Sequence, residues 1–326
     1  MTAFEYLKKI LRFLKDLSAQ TGYPLSYLSQ RFFRLYMTHK VGIEEFCSLH
    51  LYDFTSRKAG EYLLWKESKR ISDILNAGAT KQELATFEDK HLFNNAMHRL
   101  LKREWVYLPD ISVEELASFL KENSDFLIKP CIESQGDGIV KCRAEEWTAE
   151  ELKRKYSGEF IAEALICQHE VLRRLNPSSV NTIRMIAARH DNAVEIIGAG
   201  LRVGGEGQFV DNFHHGGVAY PLDLESGIVT GPGIDFSGHP VLCHPSTGQI
   251  VPGVRIPFWD QVRSLVKEAA VVIPHVGYVG WDIAVTETGA VLVEGNVNYP
   301  GNTIIQIDGP GPLCRLRSFL KNQSMG

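Results

Sequence analysis

The sequence has no pair of cysteines at CxxC spacing, no apolar run approaching the roughly 18 residues of a membrane span, and no marked excess of either charge. Its six cysteines, Cys47, Cys131, Cys142, Cys167, Cys243 and Cys314, are scattered. That distribution speaks against a disulfide framework or a zinc ribbon and suits a reducing compartment. Thirty-five Lys and Arg stand against 39 Asp and Glu, a net charge of -4. The chain is therefore not built to grip a nucleic-acid backbone along its length, no nucleic-acid partner is expected, and any anion site must be local. The N-terminus lacks the basic, apolar, small-residue order of a secretion signal, which together with the cysteines gives a cytoplasmic expectation. Neither a P-loop nor a GxGxxG fingerprint occurs. What is there is ordinary for a folded protein: 44% apolar residues, 10% aromatic, and 326 residues in all, enough for two or three structural units.

Residues 1 to 87 have helical texture. Phe4, Leu7, Ile10, Leu11, Leu14 and Leu17 recur at three and four, predicting an amphipathic helix with those residues on its buried stripe. Its basic residues Lys8, Lys9, Arg12 and Lys15 suit an anionic membrane surface; a solvated face of a helix packed on its own domain is the preferred reading. Leu92 to Leu101 predicts a further helix. From Val106 onward short β-rich runs alternate irregularly with helices, which favours an α+β fold over a doubly wound sheet. Strands are expected at Phe126 to Ile128, Ile139 to Cys142, Phe160 to Glu163, Thr182 to Ala188, Val194 to Leu201, Tyr278 to Val285 and Val291 to Glu294, and a helix at Phe258 to Val272.

Four constellations carry chemistry. In the first, Lys129-Pro130 closes a strand, and Ser134-Gln135-Gly136-Asp137-Gly138-Ile139 turns the chain back into another. Such a turn lets backbone N–H groups approach phosphate oxygens while the lysine supplies a point charge; a plain hairpin is the alternative. In the second, Asp282 and Glu294 with Asn296 lie on two apolar runs joined by Thr286-Glu287-Thr288-Gly289, a spacing that predicts a hairpin. Two carboxylates brought together there repel unless a cation lies between them, and with an amide oxygen they form a hard donor set suited to magnesium. The alternative is a carboxylate pair at a solvated hairpin end. The third is Glu163-Ala164-Leu165-Ile166 with Glu170 beyond it, either an edge that reads adenine beside a ribose-binding carboxylate, or a strand passing into a loop. The fourth spans Asn181-Thr182-Ile183-Arg184, Arg202, and Asp211-Asn212-Phe213-His214-His215-Gly216-Gly217. Arg184 lies in an apolar run, so it needs either an anionic ligand or a structural salt bridge. Zinc at His214 and His215, or at His239, Cys243 and His244, is disfavoured, because neighbouring strand residues face opposite sides.

In order, Asp89-Lys90, Lys129-Pro130, the 134 to 139 loop, Glu163 with Glu170, Asn181 to Arg184, Asp282, and Glu294-Gly295-Asn296 before Pro300-Gly301 resemble the ATP-grasp superfamily. Asn181-Thr182-Ile183-Arg184, Val210-Asp211-Asn212 with Gly216-Gly217, and Gly280-Trp281-Asp282 resemble most its sugar-transfer-associated branch. The resemblance implies two α+β subdomains, at residues 88 to 160 and 161 to 326, clamping ATP after a helical region of residues 1 to 87. It also implies an ATP- and magnesium-dependent carboxylate-amine ligase working through an acyl phosphate on an amino acid or sugar carboxylate, in polysaccharide or specialised-metabolite assembly. By the same resemblance Lys90 and Lys129 hold phosphates, and Ser134, Gln135, Gly136 and Gly138 close over them. Glu163, Ala164, Leu165 and Ile166 read adenine, Glu170 binds ribose, and Asp282, Glu294 and Asn296 hold magnesium. Arg184, Asn212, His215 and Gly217 face substrate. One position departs: D-alanine:D-alanine ligases carry an arginine two residues before the metal aspartate, where this chain has Gly280. Arg184 and Arg202 are then the candidates, with Lys129, for steadying the transferred phosphoryl group. A kinase on the same fold and a non-catalytic scaffold with a vestigial site are the other readings.

Overall fold

The computed structural model describes residues 2–54, 56–133, 138–205, 207–208, 211, 213 and 216–323. Several helices begin at reciprocal caps that the sequence spells out. Thr2, Thr80, Ser112 and Thr148 each accept a hydrogen bond from the backbone N–H of a glutamate three residues on, and that glutamate reaches back to the cap. The first region comprises α1 (Ala3–Thr21), α2 (Leu25–His39), α3 (Ile43–Ser48) and α4 (Ser56–Ala59), packed around Leu14, Leu28, Phe32, Leu35, Phe46 and Leu51. Helix α5 (Trp65–Leu75) follows but belongs elsewhere: Leu63 and Ile71 join a core with Ile186, Ile197 and Tyr278. The helices before residue 87 thus divide between two cores. The expected buried stripe of α1 is also only half right. Leu14 and Leu17 are buried, whereas Phe4, Leu7 and Leu11 are 65%, 53% and 44% exposed.

After α6 (Lys81–Ala85), the helix expected to end at Leu101 appears as α7 (Lys90–Ala96) and α8 (His98–Leu101), broken at Met97. A smaller sheet follows, formed by β1 (Trp105–Tyr107), β2 (Asp125–Pro130), β3 (Val140–Arg143) and β4 (Phe160–Ala164), with α9 (Val113–Glu122) and α10 (Ala149–Lys155) between strands. Its order is β1-β4-β2-β3, all antiparallel. Because β4 pairs with both β1 and β2, the chain leaves this sheet after Ala164, later than the boundary expected at residue 160.

The short α11 (Glu170–Arg173) leads into the larger antiparallel sheet: β5 (Ile183–His190), β6 (Ala193–Val203), β7 (Val218–Pro221), β8 (Gly233–Ile234), β9 (Pro240–Val241), then α12 (Trp259–Ala269), β10 (Tyr278–Thr286) and β11 (Gly289–Asn296). Its order is β11-β10-β5-β6-β7-β8-β9. Alternation sorts the two faces. Met185, Ala187, Val279, Trp281 and Ile283 pack with Val262, Leu265 and Val266 of α12. Ile186, Ala188, Ile197 and Tyr278 pack with α5 and with α13 (Gly311–Gln323). Arg184, Arg202 and Asp282 share the parity of that second face. There the segment ending in Ile304–Gln306 crosses β6 so closely that a Cβ at Gly200 would meet the Ile304 carbonyl at 2.5 Å. Among the described residues no helix is long and apolar enough to cross a membrane.

Candidate active site

The centre of the site is one row across the large sheet. Register places Arg184 of β5 opposite Asp282 of β10, and Asp282 opposite Glu294 of β11. Asp282 is fully buried and receives Arg184 in a two-pronged pair, Nε to Oδ1 at 2.6 Å and Nη2 to Oδ2 at 2.9 Å. Arg202 reaches the same carboxylate, Nη2 to Oδ2 at 3.2 Å, and also Asp211 at 3.0 Å. Asp211 in turn accepts from the Thr182 backbone and hydroxyl. Burial works against the Arg202 charge, but Asp211, Asp282 and Glu294 outweigh it and hold its pKa above the ordinary value. Arg184 spends its remaining reach on the carbonyls of Tyr299 and Pro300, both at 3.2 Å. Among the described residues the Nη1 group of Arg202 donates no hydrogen bond, so Arg202 is the guanidinium with donors to spare.

Gly280 now has a structural reason. A Cβ there would lie 2.1 Å from the Pro300 carbonyl oxygen, so no side chain fits and an arginine from β10 is excluded. Arg184, one strand over, puts its guanidinium on Asp282 instead.

Glu294 differs from Asp282 in access. Its side chain is exposed, yet the protein around it strips water from the carboxylate and Asp282 repels it, and both effects raise its pKa. Asn296 lies on the same face and donates to Glu294 Oε1 at 3.2 Å. Lys90 interacts with both Glu294 and Lys129; desolvation lowers its pKa, Glu294 acts in the opposite sense, and Lys129 adds to the lowering. Its ammonium donates to the Glu133 carbonyl at 2.8 Å. Arg184, Arg202, Asp282, Glu294 and Asn296 thus lie together on the larger sheet, and Lys129 is tied to the strand that carries Glu294 through Glu163 and Arg103.

Other expected site residues already have partners within the fold. Glu163 is buried between cations: Lys129 hydrogen-bonds one carboxylate oxygen, Arg103 lies 2.7 Å from the other, and Asn94 donates at 3.2 Å. Burial opposes its ionisation, but Arg103 and Lys129 prevail and hold it down to about 2. Its carboxylate thus holds Lys129 in place, and its backbone lies in a strand paired on both sides. The Ala164 N–H is bonded to the Glu104 carbonyl, and strand pairing ends before Leu165 and Ile166. Glu170 faces Arg173 and Arg174 of its own segment, and its N–H is held by Glu287 at 2.8 Å. It is part of a surface ion cluster at the hairpin tip, and its carboxylate is already occupied. Ser134, Gln135, Gly136, Asn212 and His215 lie outside the described residues. Gly138 has a left-handed φ of 71° with Pro130 packed against it, and Gly217 is buried at the start of β7.

Arg103 and Asp211 were not assigned roles from sequence. Arg103 donates to the carbonyls of Leu292 and Val293, at a bulge where Asp282 faces Glu294 but Ile283 faces Leu292. It thereby links β4 to the strand that carries Glu294. Its sequence context, Lys102-Arg103-Glu104, gives no signal, because all its partners are distant in the chain. Asp211 stood inside a noted motif; what marked it only afterwards was its pairing with Arg202.

The described residues include no cluster of three or more His, Cys, Asp or Glu arranged as a metal site. Two carboxylates and an amide suit a hard cation nonetheless. The mutual repulsion that raises Glu294 is what such a cation removes. The fit carries one restriction: both Asp282 oxygens are engaged by guanidinium groups, so Glu294 and Asn296 are the accessible donors.

A family model described as sugar-transfer associated ATP-grasp matches residues 79–321. The chain belongs to this family. A comparison with curated proteins gives no match. Among solved structures, an ADP complex of N5-carboxyaminoimidazole ribonucleotide synthetase is similar at 14% identity and a TM-score of 0.42, covering 66% of this chain and 46% of that one. The ATP-grasp ligase PsnB, complexed with a phosphomimetic precursor variant, Mg and ADP, is similar at 16% identity and a TM-score of 0.42, covering 76% and 66%. An L-amino acid ligase from Bacillus licheniformis is similar at 13% identity and a TM-score of 0.43, covering 74% and 49%. The chain spans about half to two thirds of the length of these structures.

Proposed function

We propose that this ATP-grasp protein is an ATP- and magnesium-dependent carboxylate-amine ligase that forms an amide through an acyl phosphate, on an amino acid or a sugar carboxylate. The observation that carries the proposal is the chain of contacts that runs from Lys129 of the smaller sheet through Glu163 and Arg103 to the strand bearing Glu294, opposite Asp282 with its two arginines. Phosphoryl transfer asks chiefly for positioning and for cancellation of negative charge, which is what this set supplies.

In this reading Lys90 and Lys129 bind the phosphates of ATP. Lys129 exchanges its contact with Glu163 for a phosphate oxygen, and Glu163 keeps the lysine aimed in the interval. Glu294 and Asn296 would hold magnesium, which when bound neutralises phosphate charge. The Nη1 group of Arg202, which donates to none of the described residues, offers paired donors to the substrate carboxylate or to the transferred phosphoryl oxygens, while Asp211 and Asp282 fix its plane. Arg184 is a positioning residue, because its guanidinium is committed to Asp282 and two carbonyls. A carboxylate needs no deprotonation to attack the terminal phosphate; the amine that follows must arrive neutral and near, with water excluded.

The test is incubation of the purified chain with Mg-ATP and pools of acids and amines, following ADP release and product mass together. ADP, phosphate and a new amide are expected. A stable phosphorylated product would replace the ligase by a kinase, and absence of turnover across the pools with nucleotide bound would favour a scaffold.

A further inference from the structure

Three residues of the α1 stripe that periodicity assigns to a core are left uncovered by the fold. Helices α1 and α2 bury Phe13, Leu14 and Leu17, and Leu28, Phe32 and Leu35, in one shared core. On the opposite side of α1 lie Phe4, Lys8, Leu11 and Lys15, spaced four, three and four apart, with Leu7 beside them. On the outer side of α2 lie Phe33 and Met37, 64% and 55% exposed. Aromatic and aliphatic side chains thus project outward from α1 and α2, and among the described residues they remain more than two-fifths exposed.

The charge around them is mostly positive. The first 40 residues hold seven Lys and Arg against two Asp and Glu, a net of +5 in a chain whose total is -4. Helix α2 has no acidic residue at all. Lys8, Arg12, Lys15, Arg34 and Lys40 have no carboxylate partner among the described residues; of the cations on α1, only Lys9 is paired, with Glu44. Lysines interleaved with phenylalanine and leucine on one stripe are a poor core for a protein interface, where lysine is depleted. They suit a bilayer surface, where the apolar groups enter the acyl boundary and the lysines extend to phosphate oxygens.

We infer that the outer face of the α1–α2 pair is a docking surface for anionic phospholipid, holding the ATP-grasp site at a membrane surface. The inference stands apart from the ligase reading, since none of these residues belongs to the site. The experiment is co-sedimentation of the full chain with vesicles of phosphatidylcholine alone and of phosphatidylcholine enriched in phosphatidylglycerol, at low and high salt. Binding to the anionic vesicles that weakens with salt is expected. The double variant Lys8→Ala, Lys15→Ala lowers that partitioning about 30-fold, at roughly one surface cation's attraction per lysine. Phe4→Ser with Phe33→Ser lowers it about tenfold or more, and Lys267→Ala on the distant α12 leaves it unchanged. An unaltered melting temperature and Mg-ATP-induced shift shows that each variant is folded. The inference is overturned by equal or absent binding to the two vesicle types, or by variants that partition like the parent. It is equally overturned if light scattering shows a dimer that the phenylalanine variants dissolve while the parent stays off vesicles, for then a second copy covers this face.

Discussion

Replacing Glu163 by glutamine tests whether the buried carboxylate, rather than a ligand, holds Lys129. Glu163 is 2% exposed and sits between Lys129 and Arg103. Its pKa falls from an ordinary 4.5 to about 2. A depressed folded-state pKa contributes stability that is present above the unfolded value and lost as pH falls through the folded one. Here the shift corresponds to about 3 kcal/mol at neutral pH, fading between about pH 4.5 and pH 2. Removing the charge also leaves two poorly solvated cations facing each other, which places the loss within the roughly 3–5 kcal/mol typical of a broken buried pair. With an unfolding entropy of about 2.1 cal/mol/K per residue, a chain of this length loses about 4 °C of melting temperature for 3 kcal/mol. The assay is thermal melting of parent and Glu163→Gln as a function of pH, with Lys129→Met alone and in combination. The gap should be about 4 °C or more at pH 7 and should narrow steadily below about pH 4.5. The double variant should be less destabilised than the two single changes summed, because removing Lys129 relieves the unpaired charge. A Glu163→Gln protein that melts within about 1 °C of the parent at pH 7, or a gap indifferent to pH, would refute the reasoning and return Glu163 to the pool of ligand-facing groups.

Glu294→Gln removes a desolvated carboxylate that Asp282 repels. A raised folded-state pKa costs stability as pH rises, so the ligand-free melting temperature should not fall, while ATP turnover drops about 100-fold or more; a variant that melts early with intact turnover contradicts the placement. Arg202→Lys cannot span Asp211 and Asp282 with a planar fork. Turnover should drop about 100-fold while the Mg-ATP melting shift persists, a split read by comparing kcat with nucleotide affinity. Glu170→Ala breaks only its exposed contacts with Arg173 and Arg174, and titration calorimetry should find ATP affinity unchanged within about twofold; a tenfold loss would restore Glu170 to a ribose contact.

The difference between the two carboxylates of the hairpin shows where sequence reasoning stops. Asp282 and Glu294 look equivalent in sequence, each on an apolar run and joined by a turn. In the fold one has no exposed surface and two guanidinium partners, and the other is accessible and repelled. Neither arginine is near Asp282 in the chain. Arg184 was rightly suspected because an apolar run cannot carry an unpaired guanidinium, and the two partners weighed for it, an anionic ligand or a structural salt bridge, could be separated only by strand order. Gly280 is the same lesson: an unexplained departure in sequence, and in space a position closed by the Pro300 backbone.

By itself the sequence determined what depends on near neighbours: the strand and helix segments, the hairpin that sets Asp282 across from Glu294, and the ordered motifs of the ATP-grasp family. Only the tertiary structure decided the partners. It placed Glu163 against Lys129 and Arg103, tied Arg202 to Asp211, moved β4 into the smaller sheet, and turned Phe4, Leu7 and Leu11 outward. The physical reason is that periodicity and capping act over a few residues, whereas desolvation and charge pairing depend on which segments, distant in the chain, are packed within a few ångströms of one another.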